Sequence, residues 1–411
     1  MKNKIITYLF SLLPLSLILG NFSINTNIFL INLLTLFHCF QNNYWFFLRE
    51  KLFKILIIFY TYLVINSFYN FYLNPNYNFD GILRSIGFIK FIFLGYALYV
   101  TPLNRTQLNK IFITWIVILM ILAIDLIFEF IFKFNLLGFK SLDQTRLVSF
   151  FYNENVAGGF LLTFGFITIM YFYKNNNNLI RKLILNFLFL SIPILILLTG
   201  ERSNFLKSII LFTSIIFLID KSFLVINKKL ILIILIFITT ISVYTNNTLF
   251  IKQTEFFKRI AAVQDAKKIT DYIQNIKYFA HYDAAWKIFK NYPLNGIGNK
   301  NFRNECSKDE YFNNNLKLSV QRCTTHPHQL HFELLSEQGL IGYFIFLYFI
   351  FFFIKKKFIE KYSPLKPFEY SLNLYLLIFL IPVLPSGSLF SSFNGALFWI
   401  IFSLSNRKDY K

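Results

Sequence analysis

Long apolar runs recur along the whole sequence, and they restrict the chain to a membrane-embedded fold. Twelve candidate spans occur, at residues 5–20, 26–40, 55–73, 82–100, 111–133, 156–173, 183–199, 204–219, 230–246, 329–354, 371–386 and 392–404. Charged residues make up only 15% of the chain, whereas a soluble domain has about 25%. The runs are continuous rather than alternating, so we predict an all-α polytopic membrane protein with about 12 transmembrane helices.

Positive charge is unevenly distributed between the connections on the two sides of these spans. With the N-terminus inside, the inner connections carry 21 lysines and arginines, and the short outer connections carry three: Lys140, Arg146 and Arg202. Because positive charge accumulates on the cytoplasmic side, we predict that both termini are cytoplasmic. We therefore divide the chain into helices 1–9 (residues 1–246), one large outer loop (247–328) and helices 10–12 (329–411).

The net charge of +21 does not indicate a nucleic-acid-binding protein. The positive residues are spread over short connections between apolar runs, which is the pattern expected of membrane topology. No basic domain is left once the spans are removed, so we predict membrane lipid and no nucleic acid as a partner.

Three of the five histidines, His326, His328 and His331, lie where the outer loop meets an apolar span. Titratable residues at a membrane edge are typical of functional sites. If a helix begins at His326, His328 shares a face with Phe332 and can deprotonate a substrate hydroxyl. The alternatives are an interfacial helix lined by histidines and a three-histidine metal site, for which no carboxylate cluster or cysteine ligand is evident.

Arginines on the outer side are candidates for binding phosphate, because the planar guanidinium matches phosphate oxygens. Arg202 follows Glu201 between two apolar runs, where the alternative is a turn with a local ion pair. Arg146 precedes another span, where a helix start capped by Asn155 is equally consistent. Arg322 is the best candidate in the loop, because it is four residues from His326.

The outer side has two further features. The polar break Pro385–Ser391 either forms the floor of the same site or simply joins two helices. Cys306 and Cys323 share the outer loop, so a disulfide between them is plausible if the loop faces an oxidising compartment.

Several motifs are absent from the sequence. We find no Walker A loop, GxGxxG motif, GxSxG elbow or paired-cysteine zinc spacing, and no DxD pair outside the membrane. We therefore predict no metal and no cofactor. An activated donor used on the outer face, where ATP is absent, must carry its own leaving group.

The segment His326–Gly342 resembles the signature of the O-antigen ligase and polymerase superfamily, with Gln329 and Phe332 as mild departures from the family's usual Asn and Leu. The matching residues are His326, His328, Leu335, Glu337, Gly339 and Gly342, and further upstream Trp286, Pro293, Gly296, Gly298 and Phe302. The segments around Arg146, Arg202 and Ser386–Gly387 also have counterparts, so the similarity spans roughly 140–400.

The resemblance implies a metal-independent, inverting glycosyltransferase of the bacterial inner membrane whose donor is a polyprenyl-diphosphate-linked glycan. It implies that His328, or else His326, activates the acceptor hydroxyl, and that Arg202, then Arg146 and Arg322, hold the diphosphate in the periplasm. A ligase acting on lipid A-core is the leading hypothesis, and a polymerase extending the lipid-linked glycan is the close alternative. A ligase acting on protein and a transporter of the lipid-linked glycan are the more distant ones.

Overall fold

The computed structural model describes residues 2–74, 77, 79–142, 146–152, 154–173, 179–218, 277–360, 367–382 and 384–407. These residues form helices and connecting turns, with no strand among them. The helices are α1 Lys2–Ser11, α2 Leu13–Ile18, α3 Asn21–Asn42, α4 Lys51–Leu73, α5 Asp80–Gly87, α6 Ile89–Val100, α7 Arg105–Phe132, α8 Ala157–Tyr173, α9 Leu179–Leu198, α10 Arg202–Leu218, α11 Lys277–Asn291, α12 Phe302–Glu305, α13 Leu330–Ile354, α14 Pro367–Phe379 and α15 Ser392–Asn406. A π-helical segment, Lys355–Ile359, extends α13.

The helical, polytopic architecture agrees with the sequence prediction. In the described part of the chain, six helices are long and apolar enough to cross a membrane: Asn21–Asn42, Lys51–Leu73, Asp80–Val100, Arg105–Phe132, Ile180–Leu198 and Leu330–Ile359. Each predicted span overlaps a helix, except 230–246, which lies outside the described residues together with loop residues 247–276. The total of twelve spans and the placement of one large loop outside the membrane stay predictions.

A break in α13 joins residues 293–298 to the helix bundle. Gly339 has a φ of +61°, in the left-handed region that glycine adopts without steric cost. The carbonyl oxygen of Glu337 accepts the N–H of Gly298 at 2.8 Å, and the N–H of Leu340 donates to Pro293 at 2.8 Å. The segment 293–298 and the α13 break at 337–340 therefore satisfy each other's backbone hydrogen bonds.

Residues 277–328 form most of a second, smaller core, to which Tyr77 also contributes. Apolar side chains from α11, α12 and the following turns form a buried cluster: Ala284, Ala285, Ile288, Ile297, Phe302 and Tyr311. A disulfide joins Cys306 to Cys323, with 5.4 Å between their Cα atoms. Because α11 also packs on α13, this unit is held against the end of the bundle where the histidine segment lies.

Candidate functional site

The helix at the histidine segment begins next to the predicted start of the span at residue 329, so His326 and His328 precede it. α13 starts at Leu330, and the Gln329 side-chain oxygen caps it by accepting the N–H of Phe332 at 2.8 Å. His328 precedes the helix and has a φ of +56°, which is uncommon for a residue with a side chain. The expectation that His326 and His328 lie on a helix, with His328 on the face of Phe332, was therefore wrong.

His326 and His328 instead form a cluster with a third histidine, His281 of α11. The ring centroids of His326 and His328 lie 4.4 Å apart, and those of His281 and His328 lie 5.5 Å apart. Tyr278, one helical turn before His281, places its ring edge-to-face with His328 at 5.7 Å. Sequence reasoning missed His281, because a single histidine in the loop gives no signal that it lies beside His326 and His328.

Hydrogen bonds fix the tautomer of His281 and leave a nitrogen of His326 unoccupied. His281 Nδ1 lies 3.0 Å from the carbonyl oxygen of Arg322, which can only accept, so Nδ1 carries the proton. His326 Nδ1 contacts the Thr325 hydroxyl at 3.1 Å. The Nε2 atoms of His281 and His326 are buried and have no hydrogen-bond partner among the described residues.

Burial keeps these histidines neutral. It lowers the pKa of His281 and of His326, because the charged imidazolium is poorly solvated inside the protein. The pKa of His328 falls to about 3, since burial is reinforced by the charges that His326, His281 and Lys277 carry when protonated. At neutral pH, His328 is therefore unprotonated.

His331 does not belong to this cluster. Its Nε2 donates to the carbonyl oxygen of Leu380 at 2.9 Å, and its Nδ1 lies 3.0 Å from the Tyr343 hydroxyl. Both ring nitrogens are thus used in packing α13. Among the described residues, no group of three or more His, Cys, Asp or Glu side chains is arranged to hold a metal ion.

The polar turn 384–391 contacts the histidine segment directly. The N–H of Ser386 donates to the carbonyl oxygen of His328 at 2.8 Å, and the Ser386 hydroxyl accepts the N–H of Leu330 at 3.0 Å. Gly387 suits this position, because a Cβ there would lie only 2.2 Å from the Asn394 side chain. The turn therefore fixes the backbone on both sides of the α13 start.

The same turn also contacts α10, the helix that begins at Arg202. The carbonyl oxygen of Pro385 accepts the Ser203 hydroxyl at 2.7 Å and Lys207 Nζ at 3.1 Å. Ser203 directly follows Arg202. The histidine segment and the start of α10 are therefore bonded to neighbouring residues of one turn, although more than a hundred residues separate them in sequence.

Glu201 brings the Arg146 segment to the start of α10. Its carboxylate accepts the Gly158 N–H at 2.6 Å and the Asn204 amide at 2.5 Å. Burial raises the pKa of Glu201 to about 7, and these hydrogen bonds and the charge of Arg146 oppose that rise. The N–H of Gly158 in the first turn of α8 is thus bonded by Glu201, rather than by the predicted cap Asn155.

Two carboxylates at the end of α7 fix the segment that follows Arg146. Glu129 accepts the N–H of Ser149 at 2.7 Å, and Asp125 accepts the Ser149 hydroxyl at 2.5 Å. The next residue after Arg146, Leu147, donates its N–H to Thr199 at 3.3 Å. Arg146 is therefore carried on an anchored segment beside the α9–α10 connection.

A buried ion pair joins the loop residue Lys300 to Glu333 in the first turn of α13. Lys300 Nζ is 3.1 Å from Glu333 Oε1, and the two side chains are 5% and 0% exposed. The Ser388 hydroxyl bridges them, at 2.7 Å from Lys300 and 2.5 Å from Glu333. Sequence reasoning missed this pair, because a lysine in a polar loop and a glutamate in a span give no sign of being neighbours.

Arg322 serves the fold of the loop. Its guanidinium donates to the carbonyl oxygens of Cys306 at 2.8 Å, Ser307 at 2.9 Å and Lys308 at 3.2 Å, and the side chain is buried. Its own carbonyl orients His281. Diphosphate binding by Arg322 stays a prediction, and its geometry favours a structural role.

Residues 185–347 match a protein-family model described as O-antigen ligase. The matched range contains the start of α10 with Arg202, the 277–328 unit and the complete histidine segment. Arg146 and the 384–391 turn lie outside it. A search of curated proteins finds no match to the chain.

Proposed function

We propose that this chain, which belongs to the O-antigen ligase and polymerase superfamily, transfers a glycan from a polyprenyl-diphosphate carrier to lipid A-core. In this proposal the reaction inverts the anomeric configuration, needs no metal, and occurs on the periplasmic face of the inner membrane. Both termini lie in the cytoplasm.

The proposed step balances without an outside energy source. The acceptor hydroxyl oxygen forms a bond to the anomeric carbon, while the bond from that carbon to the carrier diphosphate breaks. The neutral imidazole of His328 takes the hydroxyl proton, with His326 as the second candidate. Arg202 and Arg146 neutralise the charge that develops on the departing diphosphate.

One observation carries the proposal. Ser386 binds the backbone of His328, and the adjacent Pro385 binds Ser203, the neighbour of Arg202. A base and a cation that serve opposite ends of one displacement must be held in a fixed relation, because small misplacements are costly in rate. The 384–391 turn supplies such a connection.

Complementation tests this function. Cells that lack their own O-antigen ligase receive the wild-type chain, His328→Ala or the exposed control Lys54→Gln, and their surface glycan is separated by gel. We expect polymer on lipid A-core with the wild type and the control, and its loss with His328→Ala at equal membrane levels. Absence of polymer with every variant would contradict the ligase reaction if purified protein also fails with a native donor.

The polymerase alternative has a distinct outcome in a second strain. If the wild-type chain restores glycan length in cells lacking a polymerase, and attaches nothing to lipid A-core, the acceptor is the lipid-linked glycan. The role of His328 would be the same in both reactions, since each needs a hydroxyl to be deprotonated.

A further inference from the structure

A polar pocket of about 290 Å³ opens beside the start of α15, directly after the 384–391 turn. Its polar lining comes from four helices: Asn21 and Asn25 of α3, Arg84 of α5, Lys90 of α6 and Ser392 of α15. None of these residues takes part in the proposed transfer. The pocket is therefore a separate feature at the same end of the bundle.

Lys90 provides the first charge of the pocket. It lies within the candidate span Asp80–Val100, where a charged residue is costly unless it is paired or used. Its Nζ is bonded to the Asn25 side-chain oxygen at 2.8 Å, and no carboxylate pairs with it in the described part of the chain. An ammonium has three donors, so this lysine can bond a further acceptor.

Arg84 provides the second charge. Its Nε lies 3.3 Å from both carboxylate oxygens of Asp80, and 39% of its side chain is exposed. The contact leaves the two terminal nitrogens of the guanidinium without a protein acceptor among the described residues. Two cations facing a single carboxylate give the pocket a net positive charge, which suits an anion with several oxygens.

The rim of the pocket is apolar. Leu83 lines the pocket beside Arg84 and is 55% exposed, and Phe88, Phe91 and Phe390 complete the apolar lining. A free anion would gain nothing from Leu83, whereas a lipid would bury it against its acyl chains. The combination of a cationic pocket and an apolar rim is the arrangement expected for a lipid headgroup.

We propose that this pocket binds the phosphate group of an anionic membrane lipid, whose headgroup carries no cation of its own. Lys90 and Arg84 hold the phosphate oxygens, the Asn25 side-chain oxygen keeps Lys90 in place, and the acyl chains lie along Leu83. The lipid is either a bilayer phospholipid or a phosphorylated glycolipid. This assignment does not depend on the proposed transfer reaction.

Lipid retention by the purified full-length protein tests the pocket. Native mass spectrometry counts the lipids bound from micelles containing phosphatidylglycerol, phosphatidylcholine or a lipid A-type phosphorylated glycolipid. We expect Arg84→Gln/Lys90→Gln to weaken binding of the phosphate ligand about tenfold, from two lost charge-assisted contacts. The matched control Lys54→Gln/Lys110→Gln removes the same charge from exposed positions elsewhere and should bind as the wild type does. Lys90→Arg keeps the positive charge and should retain lipid binding. This variant therefore distinguishes the loss of charge from a general disturbance of the fold.

Comparing the three lipids shows which kind of lipid supplies the phosphate group. Retention of phosphatidylglycerol identifies a bilayer phospholipid, and retention of the glycolipid alone identifies an acceptor-like lipid. Equal retention of phosphatidylcholine, equal binding by the wild type and the double variant, or displacement by inorganic phosphate with no lipid retained would overturn the proposal.

Discussion

The N–H of Ser386 donates to the carbonyl oxygen of His328 at 2.8 Å. His328 is held there in a left-handed conformation, with φ of +56°, which a histidine adopts only when its surroundings fix it. The turn that supplies this hydrogen bond also binds the start of α10. The position of the proposed base is therefore set by a segment that lies some sixty residues further along the chain.

The break in α13 gives the first prediction, on backbone conformation. A Cβ at Gly339 would lie 2.2 Å from the carbonyl oxygen of Leu294, at a positive φ. We expect Gly339→Ala to lower the free energy of unfolding by about 1–3 kcal/mol or more, measured by denaturant titration in micelles. Gly87→Ala is the control, since no neighbour lies within 4 Å there. Equal stability of the two variants would contradict the packing described for the break.

The second prediction concerns the pair of Lys300 and Glu333. Lys300→Met leaves the fully buried carboxylate without its cation, so we expect a loss of about 3–5 kcal/mol in the free energy of unfolding. The control Lys287→Met breaks the pair with Asp283, whose side chains are 30% and 27% exposed, and should cost less than about 1 kcal/mol. The double variant Lys300→Met/Glu333→Leu should recover part of the loss, and a further loss there would count against the ion pair.

The third prediction is the pH dependence of stability. The folded pKa of His328 is about 3, below the value of 6.5 expected when unfolded, so the unfolded state binds more protons between these values. This stabilising contribution is fully present above about pH 6.5 and is lost as the pH falls towards 3. We expect His328→Gln to flatten the fall of the thermal midpoint over this window. Parallel curves for the wild type and His328→Gln would argue against a buried neutral His328.

The fourth prediction is a thiol count. Denatured, unreduced protein should react with one equivalent of alkylating reagent, because Cys306 and Cys323 are joined and Cys39 is free and buried. Reduction before alkylation should raise the count to three, the total number of cysteines. A count of three without reduction would exclude the disulfide in the protein as isolated.

Sequence reasoning reached the architecture and the His326–His328 segment, because apolar run length and clustered polar residues are local signals. It placed the start of α13 within one residue, but the helical position considered for His328 was wrong, since the left-handed His328 depends on the 384–391 turn. His281 and Lys300 were missed for the same reason: each acquires its neighbours only through tertiary packing. Arg322 was identified as a site residue from its proximity to His326, and its hydrogen bonds lie within the loop instead.

The central claim is that His328 and Arg202 serve opposite ends of one glycosyl transfer. Its most direct test is single-turnover transfer by the purified protein, with a native polyprenyl-diphosphate-linked glycan and lipid A-core, for the wild type, His328→Ala, Arg202→Ala and Lys54→Gln. We predict that the first two variants lose about 100-fold or more in rate and that Lys54→Gln does not change. Binding of the donor should persist in His328→Ala and weaken in Arg202→Ala. Transfer by His328→Ala and Arg202→Ala at the wild-type rate would contradict the account.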